Sequence, residues 1–315
     1  MTQPILLHDH VPALDPAKIG ISYSGGGPLV AVELGIARAF VQKGIIPTAI
    51  AGTSAGALAG FAHALDVHRG TGIDLGADLL GRISNQFLGL DVGDILGRVI
   101  SQRQHIASLG DNAPLGPLVR DGLQRTLNLQ DITTRTFVPP VYPKLLIAAT
   151  DIRDGTSVWF SDDTATVPIE DALIASSAIP GIFPWRTVRI DGADVPLVDG
   201  GVVDNQPLSK LVDQGCGTIY ACAVGPTDPL PPPANALDNA FRSSDLMMRQ
   251  CTKLEEAYVR CKMDGQGCVY HIHPIVNFPI RQFNFTPALV QRVMDDATAA
   301  TLDWLGKIER GEVTD

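Results

Sequence analysis

Apolar residues along this chain fall into alternating blocks: short β-leaning runs, then stretches in which they recur every three or four positions. Ile19, Ile21 and Tyr23 alternate, so Lys18 to Tyr23 is predicted to be a strand. From Pro28 the spacing turns helical through Leu29, Val32, Ile36 and Phe40, and Pro28 suits a first helical turn. A second unit repeats the order, with an apolar run from Ile45 to Ala51, a glycine-containing turn and a small-residue helix to Leu65. Leu145 to Thr150 is continuously apolar, the pattern of a central parallel strand. Asp151 to Thr156 then forms a turn, and Ser157 to Phe160 pairs back as a hairpin. Helices are predicted from Pro114 to Leu127 and from Pro168 to Ala175. Short apolar runs follow at Pro196–Val198, Thr218–Val224 and Cys268–Ile272.

Two longer helices close the pattern. One is expected to bury Leu237, Phe241, Met248, Cys251, Leu254, Tyr258 and Cys261 on one face. The last starts at Thr286-Pro287, packs Val290, Val293, Ala297, Trp304 and Ile308, and ends near Gly311. Residues 66–115 show no strand and read as short helices, either a lid or the completion of the core. No internal repeat is visible. The proline-rich stretch Pro226–Ala236 is the one candidate boundary, but the helix and strand beyond it read as completing the same layered domain. The expected organisation is an N-terminal arm over 1–16 and one α/β domain over 17–315, with a motif core over 18–212 and a completion over 236–310.

Charge narrows the partners. The net charge is −10, so a nucleic-acid footprint is not expected, nor attraction to an anionic membrane through bulk charge. Five Cys at irregular spacing read as reduced thiols. The N-terminus lacks the basic and apolar regions of a secretory signal, and no apolar run reaches membrane-spanning length. The expectation is a cytoplasmic protein with no cofactor; its oligomeric state stays open.

The chemistry gathers at the turns. Gly52-Thr53-Ser54-Ala55-Gly56, set between a strand and a helix, is the sequence form of a nucleophile elbow. Gly52 and Gly56 let strand and helix approach around Ser54, and the Ala55 N–H sits at a helix N-terminus, where developing negative charge is favoured. With 31 Gly in the chain the pentapeptide alone is weak, so its flanks carry the reading. Gly25-Gly26-Gly27 ends the first strand. It is no dinucleotide cradle, because Val30 stands where a glycine belongs, and no Gly-Lys-Ser/Thr follows. It reads as an oxyanion hole or as a tight strand-to-helix turn. Asp199-Gly200-Gly201 follows a short apolar run, either as a held carboxylate or as an ordinary turn.

Taken together, four ordered features resemble the patatin-like phospholipases: Gly25-Gly26-Gly27, the Ser54 pentapeptide, Ser177-Ala178-Ile179-Pro180-Gly181-Ile182-Phe183-Pro184, and Asp199-Gly200-Gly201 with Asn205 and Pro207 behind it. The likeness covers Lys18 to Val212. It implies a three-layer α/β/α sandwich with a mostly parallel sheet and a serine acyl hydrolase acting on lipid esters. It also implies a Ser54–Asp199 dyad with Gly25, Gly26 and Gly27 as oxyanion donors and no metal. Leu29 departs from the family, which carries Arg or Lys there, and moves the expected substrate toward a neutral ester, lysolipid or thioester. A soluble esterase or thioesterase and a weakly catalytic acyl-binding protein are the alternatives. Membrane contact, if used, is expected through apolar loops.

Other residues could serve the same chemistry. Asp204 rivals Asp199 as the base. His63, His68 or His105 could complete a Ser–His–Asp triad, which is recognised by geometry rather than by order. His271 and His273, near Cys261 and Cys268, read as half-buried strand residues more than as metal ligands.

Overall fold

The structure is a computed structural model that describes residues 12–87, 112–163, 166–225, 232–233, 236–274, 276 and 286–313. Its eight strands are β1 (Asp15–Tyr23), β2 (Ala49–Thr53), β3 (Lys144–Asp151), β4 (Ser157–Phe160), β5 (Arg186–Ile190), β6 (Ala193–Asp199), β7 (Cys216–Cys222) and β8 (Cys268–Ile272). They form one sheet in the order β5-β6-β3-β2-β1-β7-β8, with β4 also on β3. The run from β3 to β8 is parallel, as the apolar blocks predict. The other end is an antiparallel wing of β4, β5 and β6, so the sheet is mixed.

Helices cover both faces. On one side lie α1 (Val30–Gln42), α2 (Ala55–Arg69), α3 (Gly72–Phe87), α4 (Leu115–Leu127), α5 (Ile169–Ser176) and α8 (Pro287–Glu309). Their apolar faces bury Leu34, Ile36, Phe40, Phe61 and Leu65 with Ile21, Ile50 and Leu145 of the sheet. On the other side, α6 (Ser209–Asp213) and α7 (Ala236–Met263) cover a face of smaller side chains, including Ala49, Ala51 and Ala221. Arranged this way, a central sheet between two helical layers is the expected α/β/α architecture.

Three expectations need correction. The β-leaning run from Ile45 becomes strand only at Ala49. Pro47 has no N–H for the ladder, and Thr48 enters through single bonds to Ile19 and Lys144. The β5–β6 hairpin is absent from the predicted elements. Its signal is Asp191-Gly192, both at positive φ (49° and 81°), the turn that matches strand twist.

The third correction concerns α7. Its inward row is Met248, Thr252, Glu255, Val259 and Met263, centred about 80° around the helix from the predicted core face, with Met248 common to both. Leu254, Tyr258 and Cys261 are exposed. The side chains of Leu237 and Phe241 fall outside the described set. Polar members disguise the true inward row. Glu255 accepts the Ser209 N–H at 2.7 Å, and the Thr252 hydroxyl turns back to the Met248 carbonyl at 3.2 Å. The segment 88–111, read as short helices, lies outside the described residues.

Candidate active site

The elbow forms where β2 stops. Ser54 has φ 56° and ψ −121°, and α2 begins at the next residue. That backbone region is costly for a side-chain-bearing residue, on the order of 1–3 kcal/mol, so surrounding contacts must hold it. A Cβ on Gly52 would overlap the Gly56 carbonyl, and one on Gly56 would overlap the Tyr23 and Ser24 carbonyls. The Ser54 N–H donates to the buried Ser176 Oγ at 2.9 Å. The Thr53 hydroxyl donates to the Asp204 carbonyl at 2.8 Å. Sequence reasoning does not find Ser176, because a serine at the end of a helix carries no pattern that marks it as a support.

Register brings the aspartate to the serine. β4 takes one edge of β3. The other edge is shared: Thr53 of β2 lies opposite Ala148, and Asp199 of β6 lies opposite Ala149. The two strands therefore meet end to end, and the residues at the junction are Ser54 and Asp199. Both are buried, each 5% exposed. The Asp199 backbone is fixed by its N–H to the Ala178 carbonyl at 3.0 Å and by the Thr150 hydroxyl on its own carbonyl at 3.0 Å. Ala178 belongs to the Ser177–Pro184 segment, which gives that motif a physical task.

Burial sets the chemistry of this carboxyl. Desolvation pushes the Asp199 pKa up to about 6, while contacts with the Ser54 side chain and the Gly201 N–H pull it part of the way back. The Gly201 N–H donates to Asp199 Oδ1 at 2.8 Å.

The triple glycine lies beside them. The Gly25 N–H donates to the Asn205 carbonyl at 2.8 Å, so it is already engaged. A Cβ on Gly25 would come within 3.4 Å of the Ser54 Cβ and would overlap Asn205 Oδ1, so Gly25 supplies closeness. Gly26 and Gly27 adopt φ −155° and +52°. Among the described residues, the N–H groups of Gly26, Gly27 and Ala55 carry no hydrogen bond. Leu29 is buried in the core, so this point of the loop carries an apolar side chain packed inward.

Among the other candidates, Asp204 is close by, its carbonyl held by the hydroxyl of Thr53, the residue before Ser54. Burial raises Asp204 to about 7, with Glu255 adding repulsion and Lys210 opposing it, and Asp204 Oδ1 has no partner among the described residues. Its charge neighbours are on α6 and α7. His63 is fully buried, 2.8 Å from the Tyr23 hydroxyl and stacked on Phe40, and desolvation lowers it to about 3. It is a neutral core histidine. His68 sits against the Tyr142 ring, and His105 lies outside the described residues. His271 faces Glu256 at 3.6 Å, and His273 lies 3.2 Å from the Gly225 carbonyl. No group of three or more metal-binding side chains forms among the described residues.

Sheet and turn together define an α/β protein with a sharp strand-to-helix elbow at Ser54. The sequence profile of the patatin-like phospholipases matches residues 21–212. The chain belongs to the patatin-like phospholipase family. It is 25% identical over 195 residues to an uncharacterised NTE family protein of Mycobacterium tuberculosis, covering 62% of this chain and 45% of that one. It is 26% identical over 218 residues to lysophospholipase NTE1 of Saccharomyces cerevisiae, covering 68% of this chain and 11% of that one. The chain thus spans less than half the length of these curated relatives. Among solved structures it aligns with ExoU, in its complex with SpcU, from Pseudomonas aeruginosa (TM-score 0.48, 15% identity, 94% of this chain and 52% of that one). It also aligns with VipD of Legionella pneumophila (TM-score 0.45, 14% identity, 94% of this chain and 68% of that one).

Proposed function

We propose that this protein hydrolyses carboxylic esters of lipids through a Ser54–Asp199 dyad. The observation that carries the reading is the shared edge of β3, which sets an elbow serine end to end with a buried aspartate raised to about 6. A serine hydroxyl is a weak nucleophile without a base, and a carboxylate of ordinary pKa is a weak base at neutral pH. Desolvation improves Asp199 for that task while leaving it mostly ionised at pH 7.

In the proposed reaction, Ser54 Oγ attacks the acyl carbonyl and its proton passes to Asp199. The tetrahedral oxyanion is held by the N–H groups of Gly26 and Gly27, ahead of α1, and of Ala55, the first residue of α2. Collapse breaks the ester bond, and Asp199 returns the proton to the leaving alcohol. Water then gives a proton to Asp199 and attacks the acyl-serine. The second collapse frees the fatty acid and restores the Ser54 hydroxyl. Gly25 acts by closeness to Ser54, and Asn205 fixes the glycine loop through its carbonyl. The buried Leu29 leaves no cation at that point of the loop, which favours a neutral ester or lysolipid over recognition of a phosphate there. Among the described residues no helix is long and apolar enough to cross a membrane. In this reading the substrate reaches Ser54 from a lipid surface or from solution.

Two measurements test the role of Asp199. The base must be ionised, so kcat/KM on a soluble ester is expected to fall about tenfold per pH unit below an inflection near pH 6. A flat acid limb down to pH 5 would remove Asp199 as the base. The second is stability. Folding raises the pKa of Asp199 above its ordinary 3.8, so the folded state holds more protons between about 3.8 and 6. The carboxyl therefore disfavours folding increasingly as pH rises through that window, and fully above it. Asp199→Asn is expected to stabilise the protein by on the order of 1–3 kcal/mol at pH 7.5 and by little at pH 4. Denaturant melts at both pH values check the sign.

A further inference from the structure

The junction of β2 and β6 on β3 leaves two backbone amides that the sheet does not take up. The last β2–β3 pair is Thr53 with Ala148, and the next position along that edge of β3 belongs to Asp199 of β6. A buried N–H without a partner is costly, so each of the two amides needs an acceptor from outside the sheet. Both acceptors come from one place, the C-terminal end of α5. The Ser54 N–H donates to Ser176 Oγ at 2.9 Å. The Asp199 N–H donates to the carbonyl of Ala178, two residues further on, at 3.0 Å.

That end of the helix is itself held. Ser176 and Ala178 are fully buried. The Leu173 carbonyl accepts the Ser177 N–H at 3.1 Å and the Ser177 hydroxyl at 2.8 Å. The Ile174 carbonyl accepts the Asn112 side-chain amide at 3.0 Å. At the other end of α5, Arg120 pairs with Glu170 at 2.6 Å, and Arg186 pairs with Asp171. The Ser54 backbone, at φ 56°, persists only where its surroundings hold it, and a fixed acceptor beside it does so.

We propose that Ser176 is a positioning residue: its hydroxyl ties the Ser54 backbone to the same short segment that ties Asp199, and so sets the separation of nucleophile and base. It acts through Ser54 and not on the substrate. Without this acceptor the elbow relaxes and Ser54 Oγ drifts from Asp199; a displacement of about 1 Å costs up to about 100-fold in rate. The loss falls on kcat and not on KM. The Ser54 side chain is also one of the two contacts that lower the Asp199 pKa, so weakening it moves the acid limb of the rate to higher pH. A serine that served stability alone would move neither. The proposal rests on the reading of the site as a Ser54–Asp199 hydrolase, and one readout of its test is independent of that reading.

The experiment uses the full chain, wild type beside Ser176→Ala and Ser176→Cys. Thr301→Ala on α8 is the stability control, since that hydroxyl is also fully buried and donates to the Ala297 carbonyl of its own helix at 2.7 Å. Three readouts are taken: kcat and KM on p-nitrophenyl butyrate from pH 5 to 8, thermal melts, and hydrogen exchange of the Ser54 amide by NMR. Ser176→Ala is expected to lower kcat by about 10- to 100-fold with KM within about twofold, and to shift the acid limb upward. Its Ser54 amide is expected to exchange at least about tenfold faster. Ser176→Cys is expected to fall between, because sulfur is a weaker acceptor, and it carries the same readouts should the alanine variant not fold. Thr301→Ala is expected to lower the melting temperature and leave kcat alone. A kcat within twofold of wild type in folded Ser176→Ala, or a loss that Thr301→Ala matches with the acid limb unmoved, would overturn the positioning role and leave the hydrolase standing. Unchanged exchange of the Ser54 amide would overturn it as well. Faster exchange in a protein that hydrolyses no ester would keep the tie between Ser176 and Ser54 and sink the hydrolase.

Discussion

Replacing Ser54 by alanine is expected to lower ester hydrolysis on the order of 10⁴-fold or more, with the fold retained. The side chain is 5% exposed and one atom smaller after substitution, so little packing is lost. What remains would be the oxyanion donors and substrate binding, which alone give only residual acceleration. Asp199→Asn is expected to cost nearly as much, because Asn cannot accept the Ser54 proton yet keeps an oxygen for the Gly201 N–H. The two losses are not additive: the serine and its base act as a unit, so the double variant is expected to match the worse single one. Release of p-nitrophenol from medium-chain esters, with circular dichroism on each variant, reads this out. A Ser54→Ala protein that hydrolysed ester at the wild-type rate would remove the nucleophile from the account.

Gly56→Ala is expected to destabilise the protein by about 3 kcal/mol or more, enough to prevent soluble expression. The new Cβ would overlap the Tyr23 and Ser24 carbonyls. These are backbone atoms at and just past the end of β1, where Tyr23 pairs with Gly52 and Cys222 and the Ser24 N–H donates to the Cys222 carbonyl, and they cannot swing away as a side chain would. Relief would need α2 to lift off β1, taking Ser54 with it. Gly81→Ala is the matched control. A Cβ there finds only Pro287 Cγ at 3.9 Å, so the gain in helix propensity, about 0.5–1 kcal/mol, should prevail. Thermal melts of the two variants are expected to move in opposite directions.

Much of this fold and site is local in sequence, and that part is legible there. The strand, Gly-x-Ser-x-Gly and helix order is one continuous stretch, and its chemistry comes from a backbone turn that the glycines permit. The same holds for Gly25–Gly27 ahead of α1. What spacing cannot carry is register. Nothing in the residues around Asp199 says that β6 pairs with β3 at Ala149, one step beyond Thr53 at Ala148. That step is what sets Asp199 at the end of β2, while Asp204, five residues on and also desolvated, meets Thr53 through its carbonyl. The Gly25 N–H shows the limit again: a glycine amide reads as a free donor until the Asn205 carbonyl is found on it. On α7, amphipathic spacing identifies the helix but selects a face turned by about 80°, sharing Met248 with the true inward row. Its inward row includes a threonine and a glutamate satisfied by local partners, while leucine, methionine and tyrosine face out.

The most direct test of the central claim is labelling of the purified protein with a fluorophosphonate probe, with mass mapping of the modified peptide. A stoichiometric adduct on Ser54, formed much more slowly in folded Asp199→Asn, is the result expected of an elbow serine activated by its neighbouring carboxylate. An adduct on another serine, or none on a folded wild-type protein, would contradict it.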